Sequence, residues 1–538
     1  MNKIIKICLI TLTVITITPL FSQTKEFKTG KSLDVQFSIL RELSRLYVDS
    51  VKIDKLVTTG IEAMLESLDP YTVYIPEEDE ESIELMRTGS YGGIGAIIRK
   101  VDSGVLIYEV NENSPAAKAG LVSGDIILKI GNRITANMPI DSCSAKMKGN
   151  PGTKVNFLIK RLRGGDTTNL TIARDKIHIP DVAYSGLLND SIGYIRVTGF
   201  TMGGSKDVRK SLLDLKSKAN LKRLIIDLRG NGGGLLDEAV NLVSLFVPNG
   251  TKVVSALGRF KQSDMVYFTK DEPVDTSLSI VVLVNSASAS SSEIVAGALQ
   301  DLDRATIAGT RTFGKGLVQS IIDVGYNNRI KLTTAKYYTP SGRCVQAIDY
   351  SQRNEDGSVG YIPDSLIKAF KTLKGRTVYD GGGVTPDVVI ESQTFSRPAL
   401  SLVYGEILHE YAIEYFKNHL SITSPSEFCL TPAEYEEFVK YASQKEFDSR
   451  TASDVDLDKF IATAKKENLY NDFKKEIDAL EVRVKLGKED VLRRNSAEIK
   501  TLLEEEIVSL YYFQRGRVES MLRNDSQARS VESVKLIN

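Results

Sequence analysis

The stretch Ser279-Ile-Val-Val-Leu-Val-Asn285, continued by Ser286-Ala-Ser-Ala-Ser-Ser-Ser292 and Glu293-Ile-Val-Ala-Gly-Ala-Leu-Gln300, decides the reading of this chain. Its first part is a short apolar run rich in β-branched residues, the pattern of a strand buried on both faces. Its second part holds only Ser and Ala. Its third is helical in pattern, with an acidic residue in the first turn where the helix dipole favours it. Such a strand, turn and helix is an α/β unit that can stand a hydroxyl at a helix N-terminus, beside backbone N–H groups able to hold a developing oxyanion. A Ser-rich linker would need spare length between the regular elements, and there is none. An N-cap role for one of the serines is compatible with either reading.

The same texture extends over 176–395. The runs IGYIRVTGF, LKRLIIDL, SIVVLVN, RATIAG and RIKLTTAKYY alternate with helical stretches at Leu235–Phe246 and Glu293–Leu302, which predicts an α/β layer. Residues 351–378 are polar and read as an insertion or long loop. A hydroxyl nucleophile needs a base, and the three histidines, His178, His409 and His419, are remote from the serine turn in sequence. The candidate is Lys315 in Gly309-Thr-Arg-Thr-Phe-Gly314-Lys315-Gly316, because a desolvated lysine can act as a neutral base. That segment also mimics the start of a phosphate-binding loop. Gly316 stands where Ser or Thr is needed, however, and LVQSIIDVG after it reads as a strand, so nucleotide binding is not expected. Leu224-Ile-Ile-Asp-Leu-Arg229-Gly230-Asn231-Gly232-Gly233-Gly234 lacks the dinucleotide spacing. It offers free amides at a helix start, suited to an oxyanion, and it equally suits a tight turn with no ligand.

The flanks are of other kinds. Met1–Ser22 carries Lys3 and Lys6, then an uncharged apolar stretch from Ile7 to Phe21, the layout of a signal peptide over 1–22. The stretch is shorter than the ~20 residues that span a bilayer, so an exported, periplasmic chain is expected; retention of the segment would leave it membrane-associated. Residues 23–86 read as helices and 396–538 as a charged helical domain. The latter includes the capping box Thr431-Pro-Ala-Glu434 and a helical run from Asp454 to Arg523. Between 87 and 175, short β-like runs are divided by Gly-rich turns, Tyr91-Gly92-Gly93-Ile94-Gly95 and Ser114-Pro-Ala-Ala-Lys-Ala-Gly120 among them. A glycine turn beside a strand edge can hold a peptide carboxylate while the peptide adds as an extra strand. The chain of 538 residues is long enough for several domains. Its 69 basic and 69 acidic residues leave no basic excess for nucleic acid, and no metal-ligand spacing or cofactor motif stands out. Cys143, Cys344 and Cys429, left after the leader, are scattered and imply no disulfide framework.

In this order, LDPYT (68–72), GGIGAII, SPAAKAGLVSGDIIL, IGYIRVTGF, IIDLRGNGGG, NSASASSSEIVAGALQD, TFGKGLVQ and GVTPD resemble the motifs of the carboxyl-terminal processing peptidases, the tail-specific S41 family. The resemblance implies a multidomain α/β protease core of crotonase/ClpP-like αβα form over 176–395, with a PDZ domain at 87–175. It also implies a serine endopeptidase with a Ser-Lys dyad. The family's nucleophile falls on Ser290, three positions before Glu293; its base falls on Lys315, with Gln319 orienting it. Oxyanion donors would be Ser291, where the family usually has Ala, and Gly232 or Gly233. Gly92, Gly93, Ile94 and Gly95 would receive protein or peptide substrates with apolar C-termini. The resemblance assigns nothing to 396–538, so homo-oligomerisation or adaptor docking through those helices stays open. A noncatalytic PDZ peptide-binding scaffold with a vestigial core is the alternative; retention of Ser290, Lys315 and Gln319 argues against it.

Overall fold

The computed structural model describes residues 23–532, so the leader expected over 1–22 lies outside the described residues. The described residues divide into two compact units, 23–76 with 319–332, and 77–318 with 333–532. In the first, helices Gln23–Leu46 and Ile53–Glu66 precede a strand, Val73–Ile75, that pairs antiparallel with residues 329–331. Buried Asp69 ends the second helix by accepting the N–H groups of Tyr71 and Thr72, both at 2.8 Å.

In the second unit a five-strand path runs Ala96–Val101, Gly104–Val110, Ile126–Ile130, Lys154–Lys160, Thr167–Ala173, with helix Ile140–Met147 beside it. Ile107, Ile127, Phe157 and Ile159 fill its core. The two ends of this domain are joined where Ser90–Gly93 pairs antiparallel with Asp175–His178. The domain is therefore an insertion with its exits stitched together.

A second sheet has six strands: β1 (Val182–Asn189), β2 (Ile192–Val197), β3 (Arg223–Asp227), β4 (Ser279–Val284), β5 (Thr306–Gly309) and β6 (Val388–Val389). They lie side by side in sequence order, antiparallel between β1 and β2 and parallel from β2 on. Parallel crossovers are right-handed. Strands laid down in one direction therefore bring α1 (Gly204–Lys218), α2 (Leu236–Ser244) and α3 (Ser291–Asp301) to one face, where Leu224, Ile226, Val282 and Ile307 meet Leu212, Val243 and Val295. The pleat sends alternate residues the other way. Tyr194, Ile225, Val281, Leu283 and Ala308 form a second core, covered by Val518, Leu522, Ala528 and Val531 of the C-terminal region.

That region begins with helix Arg397–Tyr404 and includes α4 (Ile407–Asn418). The capping box at Thr431 forms, with Glu434 Oε2 accepting the Thr431 N–H at 2.7 Å and Thr431 Oγ1 accepting the Glu434 N–H at 3.3 Å. The helical run expected from Asp454 to Arg523 is broken into Ala452–Lys466, Lys474–Val484, Lys488–Arg494 and α5 (Ser496–Asn524); α6 (Ser526–Ser530) follows. Asn468 at φ 59° interrupts the first junction, Gly487 precedes the third helix, and Phe513 at φ 57° kinks α5. Residues 351–378, expected as a long loop, contribute to two small hairpins, Ile348–Arg353 with Val359–Tyr361 and Ala369–Lys371 with Thr377–Tyr379. Asp356-Gly357 turns the first, Gly357 taking a left-handed φ of 81°. The second is anchored by Arg376, which donates to Asp303 at 2.6 Å and Asp387 at 2.5 Å.

The inserted domain rests on the helical region. Tyr108 stacks on His409 of α4 with ring centroids 3.7 Å apart, and Arg163 donates to the carbonyls of Phe416 and His419 at 2.6 and 2.9 Å. Gln514 donates to Glu109 at 2.8 Å, and Arg99 pairs with Glu406.

Because Leu522 covers the second face of the sheet, Leu522→Ala is expected to lower unfolding stability by about 2–5 kcal/mol. Urea denaturation of the purified chain, followed by circular dichroism, measures this as a lower midpoint.

Candidate active site

Strand β4 delivers the chain into the turn 285–290, and α3 begins at once. The serines from 288 to 292 have different fates. Ser288 is buried and donates to the Leu228 carbonyl at 2.8 Å; Ser292 is buried and donates to the Asn231 carbonyl at 2.9 Å; Ser291 Oγ donates to the Gly234 carbonyl at 2.9 Å. Their hydroxyls tie the turn to the glycine loop after β3. Ser290 is the partly exposed one of the four, with backbone φ 57° and ψ −115°. A positive φ at a residue with a Cβ costs of order 1–3 kcal/mol and persists only where the surroundings impose it. Ser290 thus stands on a strained strand-to-helix elbow.

What imposes that conformation is Glu293. Its carboxylate is fully buried. Oε2 accepts the N–H of Ser290 at 2.9 Å and the N–H of Lys315 at 2.8 Å; Oε1 accepts the N–H of Gly314 at 2.7 Å and the Thr312 hydroxyl at 2.6 Å. One oxygen therefore holds the backbones of both residues expected to form the dyad. Buried Tyr337 repeats the bridge from the carbonyl side, its hydroxyl lying 3.1 Å from Ser290 O and 2.5 Å from Lys315 O. Tyr337 is placed by pairing opposite Ala256. Burial pushes the Glu293 pKa up to about 7, against the pull of the four hydrogen bonds.

The glycine loop closes the other side. Asn231 is fully buried: its Nδ2 donates to the Val197 carbonyl at 2.9 Å and its Oδ1 accepts the Gly233 N–H at 2.8 Å, while its carbonyl receives the Ala289 N–H at 3.0 Å. A Cβ at Gly233 would lie 2.7 Å from Ser290 Cβ and 2.9 Å from Ser291 N, so only glycine allows this approach. Of the two glycines expected to donate to an oxyanion, Gly233 already gives its N–H to Asn231. The N–H groups of Gly232 and Ser291 bond to no other described residue. Beside the Thr312–Gly314 loop opens a cavity of ≈ 470 Å³, lined by Phe313, Ala347, Ile348, Ile362, Ile367 and Arg311 among others. Gln319 lies on strand Leu317–Gly325 and belongs to the other compact unit.

At the inserted domain the four expected peptide-binding residues divide. Gly92 and Gly93 sit in the short ladder opposite Lys176 and Asp175, whereas the N–H groups of Ile94 and Gly95 bond to no other described residue. The adjoining strand Ala96–Val101 is the edge of its sheet. Between it and helix Ile140–Met147 lies a small pocket of ≈ 80 Å³ lined by Ile94, Ala96, Ile98 and Met147 among others. Among the described residues, no group of three or more His, Cys, Asp or Glu is placed to hold a metal ion, and no helix is long and apolar enough to cross a membrane.

Reading the sequence gives Glu293 as a dipole partner and as the motif position that locates Ser290, and does not single out Asn231, Thr312 or Tyr337. The Ser290-x-x-Glu293 spacing is the available signal, since a Glu three residues after a cap serine folds back on its N–H.

Residues 191–352 match peptidase family S41, 92–175 match the PDZ domain, and 399–534 match the C-terminal helical domain of a probable PDZ-protease. The chain is 36% identical over 347 residues to a carboxy-terminal-processing protease of Bartonella bacilliformis, covering 64% of this chain and 76% of the relative. It is 32% identical over 352 residues to the carboxy-terminal processing protease CtpA of Bacillus subtilis, covering 65% and 74%. Among solved structures, the photosystem II D1 C-terminal processing protease aligns with 25% identity over 66% of this chain and 92% of its own, at a TM-score of 0.35.

With the Glu293 pKa at about 7 against an ordinary 4.5, the folded chain holds this proton to higher pH than the unfolded chain does. The stabilisation is full below pH 4.5 and is lost as the pH rises through 7, a change of about 3 kcal/mol. Unfolding free energies across that window are expected to show this fall in the wild type, and the same component is absent from Glu293→Gln.

Proposed function

Because the chain belongs to the family of carboxy-terminal-processing proteases, we propose that it is a serine endopeptidase with Ser290 as nucleophile and Lys315 as general base. The observation that carries this reading is the double bridge: one Glu293 oxygen binds both backbone N–H groups, and one Tyr337 hydroxyl lies between both carbonyls. The bond from the Ser290 N–H is the capping bond of α3; the further bonds of Glu293 and Tyr337 to the Lys315 backbone go beyond what a cap needs and hold Lys315 against the elbow.

In this reading Ser290 Oγ attacks the carbonyl carbon of the scissile peptide and its proton passes to neutral Lys315 Nζ. The N–H groups of Ser291 and Gly232 hold the oxyanion. The C–N bond then breaks, Lys315 returns the proton to the departing amine, and water hydrolyses the acyl-enzyme. The PDZ domain takes the free C-terminus of a protein substrate: the carboxylate meets the N–H groups of Ile94 and Gly95, and the tail adds to the edge strand Ala96–Val101. The pocket lined by Ile94, Ala96, Ile98 and Met147 favours a small apolar last residue. The leader over 1–22 directs the chain out of the cytoplasm.

Peptides ending in a free apolar residue are expected to be cleaved faster than their C-terminally amidated counterparts, with Ser290→Ala and Lys315→Ala each losing turnover while keeping wild-type circular dichroism. Cleavage by purified Ser290→Ala would overturn the assignment. Turnover should rise toward alkaline pH as the lysine base loses its proton; a flat profile from neutral to alkaline pH would remove Lys315 from that role.

A further inference from the structure

The glycine loop that carries Gly232 is anchored on its far side by residues 296 and 298 positions later in the chain than Arg229, which opens the loop. The Arg229 Nε donates to Asp227 Oδ1 at 2.9 Å and its Nη2 to Asp227 Oδ2 at 2.6 Å, a bidentate fork on the last residue of β3. The other edge of the same guanidinium faces the junction of α5 and α6. Nη1 donates to Asp525 Oδ1 at 3.1 Å and to Gln527 Oε1 at 2.8 Å, and Nη2 to Asp525 Oδ2 at 2.5 Å. Asp227 is itself fully buried, and its Oδ2 also accepts from the Tyr194 hydroxyl at 2.5 Å and from Arg196 at 3.3 Å.

The tail residues are fixed in turn. Asp525 Oδ1 caps α6 by accepting the Ala528 N–H at 3.0 Å, and Gln527 Nε2 donates to the Ile390 carbonyl at 2.7 Å. The Asp525 side chain is 7% exposed and that of Arg229 10%, so the pair works in a medium where charge-assisted bonds are strong. From Arg229 the path to the oxyanion site is short: Gly230 N–H is held by Asn285 Oδ1 at 3.0 Å, Asn231 binds the serine turn, and Gly232 follows.

We infer that Asp525 and Gln527 are positioning residues for the oxyanion loop, acting through Arg229, so that the C-terminal helical region is a working part of the active site. This rests on the serine peptidase reading. The planar fork of Arg229 fixes direction as well as distance, and with one carboxylate on each side it holds the peptide between 229 and 232 at a set height above Ser290. Loss of the outer carboxylate leaves the substrate-binding surfaces untouched and loosens the donor that matters only as the tetrahedral species forms.

The test uses the full chain, a peptide with a free apolar C-terminus, and a fluorophosphonate that labels Ser290 to count competent sites. Asp525→Asn keeps the α6 cap and removes the charge. It is expected to lower kcat per titrated site about tenfold with KM within about twofold, and to weaken a peptide boronate, which forms the tetrahedral adduct, by a similar factor. A merely structural role would lower the number of titrated sites and leave kcat per site alone. Should Asp525→Asn not fold, Gln527→Leu, which leaves the cap in place, reads the same quantities. Unchanged kcat per site beside an active wild type overturns this inference alone. A wild type that neither cleaves nor labels overturns the peptidase reading and this inference with it.

Discussion

A parallel sheet needs both faces covered, and the strand order of this one prevents its own crossovers from doing so. With β2 to β5 laid side by side in sequence, all three connecting helices fall on the same face. The opposite face still carries Tyr194, Ile225, Val281 and Leu283, too apolar to be left to water. The end of α5 and α6 supply the missing layer. The helical region is thus the third layer of the α/β core, and through Tyr108 and His409 it is also the surface on which the PDZ domain sits.

Within that frame, precision at the elbow comes from buried polar groups. By composition, any of the serines at 288, 290, 291 and 292 could have been a nucleophile; hydrogen bonding assigns three of them to the scaffold and leaves Ser290 strained and partly exposed. Glu293 and Asn231, both fully buried, organise the two sides of the site. A buried polar group is costly unless it is hydrogen-bonded, and the Glu293 carboxyl group meets that condition with donors from the Ser290, Gly314 and Lys315 backbones and Thr312. Folding the carboxylate inside therefore forces the two loops together.

Much of this is legible in the sequence because it is local. The apolar run of β4, the small-residue turn and the capping box at Thr431 each state their conformation within a few residues, and the structure has each of them. The hairpins in 351–378 escape a reading by pattern because three of their four strands are only three residues long, too short to show a period, and the Asp356-Gly357 turn is their local mark. The breaks in the helical run after Asp454 depend on Asn468 and Phe513 adopting left-handed backbone, which composition does not announce. Tyr337 opposite Ala256 and Asp525 against Arg229 are joined only by tertiary contact, so no spacing in the chain could reveal them.

Asp525 follows Arg229 by 296 residues. On a ribosome, or in a chain threading outward N-terminus first, the strands, the serine elbow and the glycine loop are all available long before the segment that covers the sheet and grips Arg229. Contacts of such long range form late and slowly. The order of synthesis therefore acts as a delay: a nascent chain that already has Ser290 and Lys315 still lacks the outer anchor of its glycine loop, and a truncated one never acquires it.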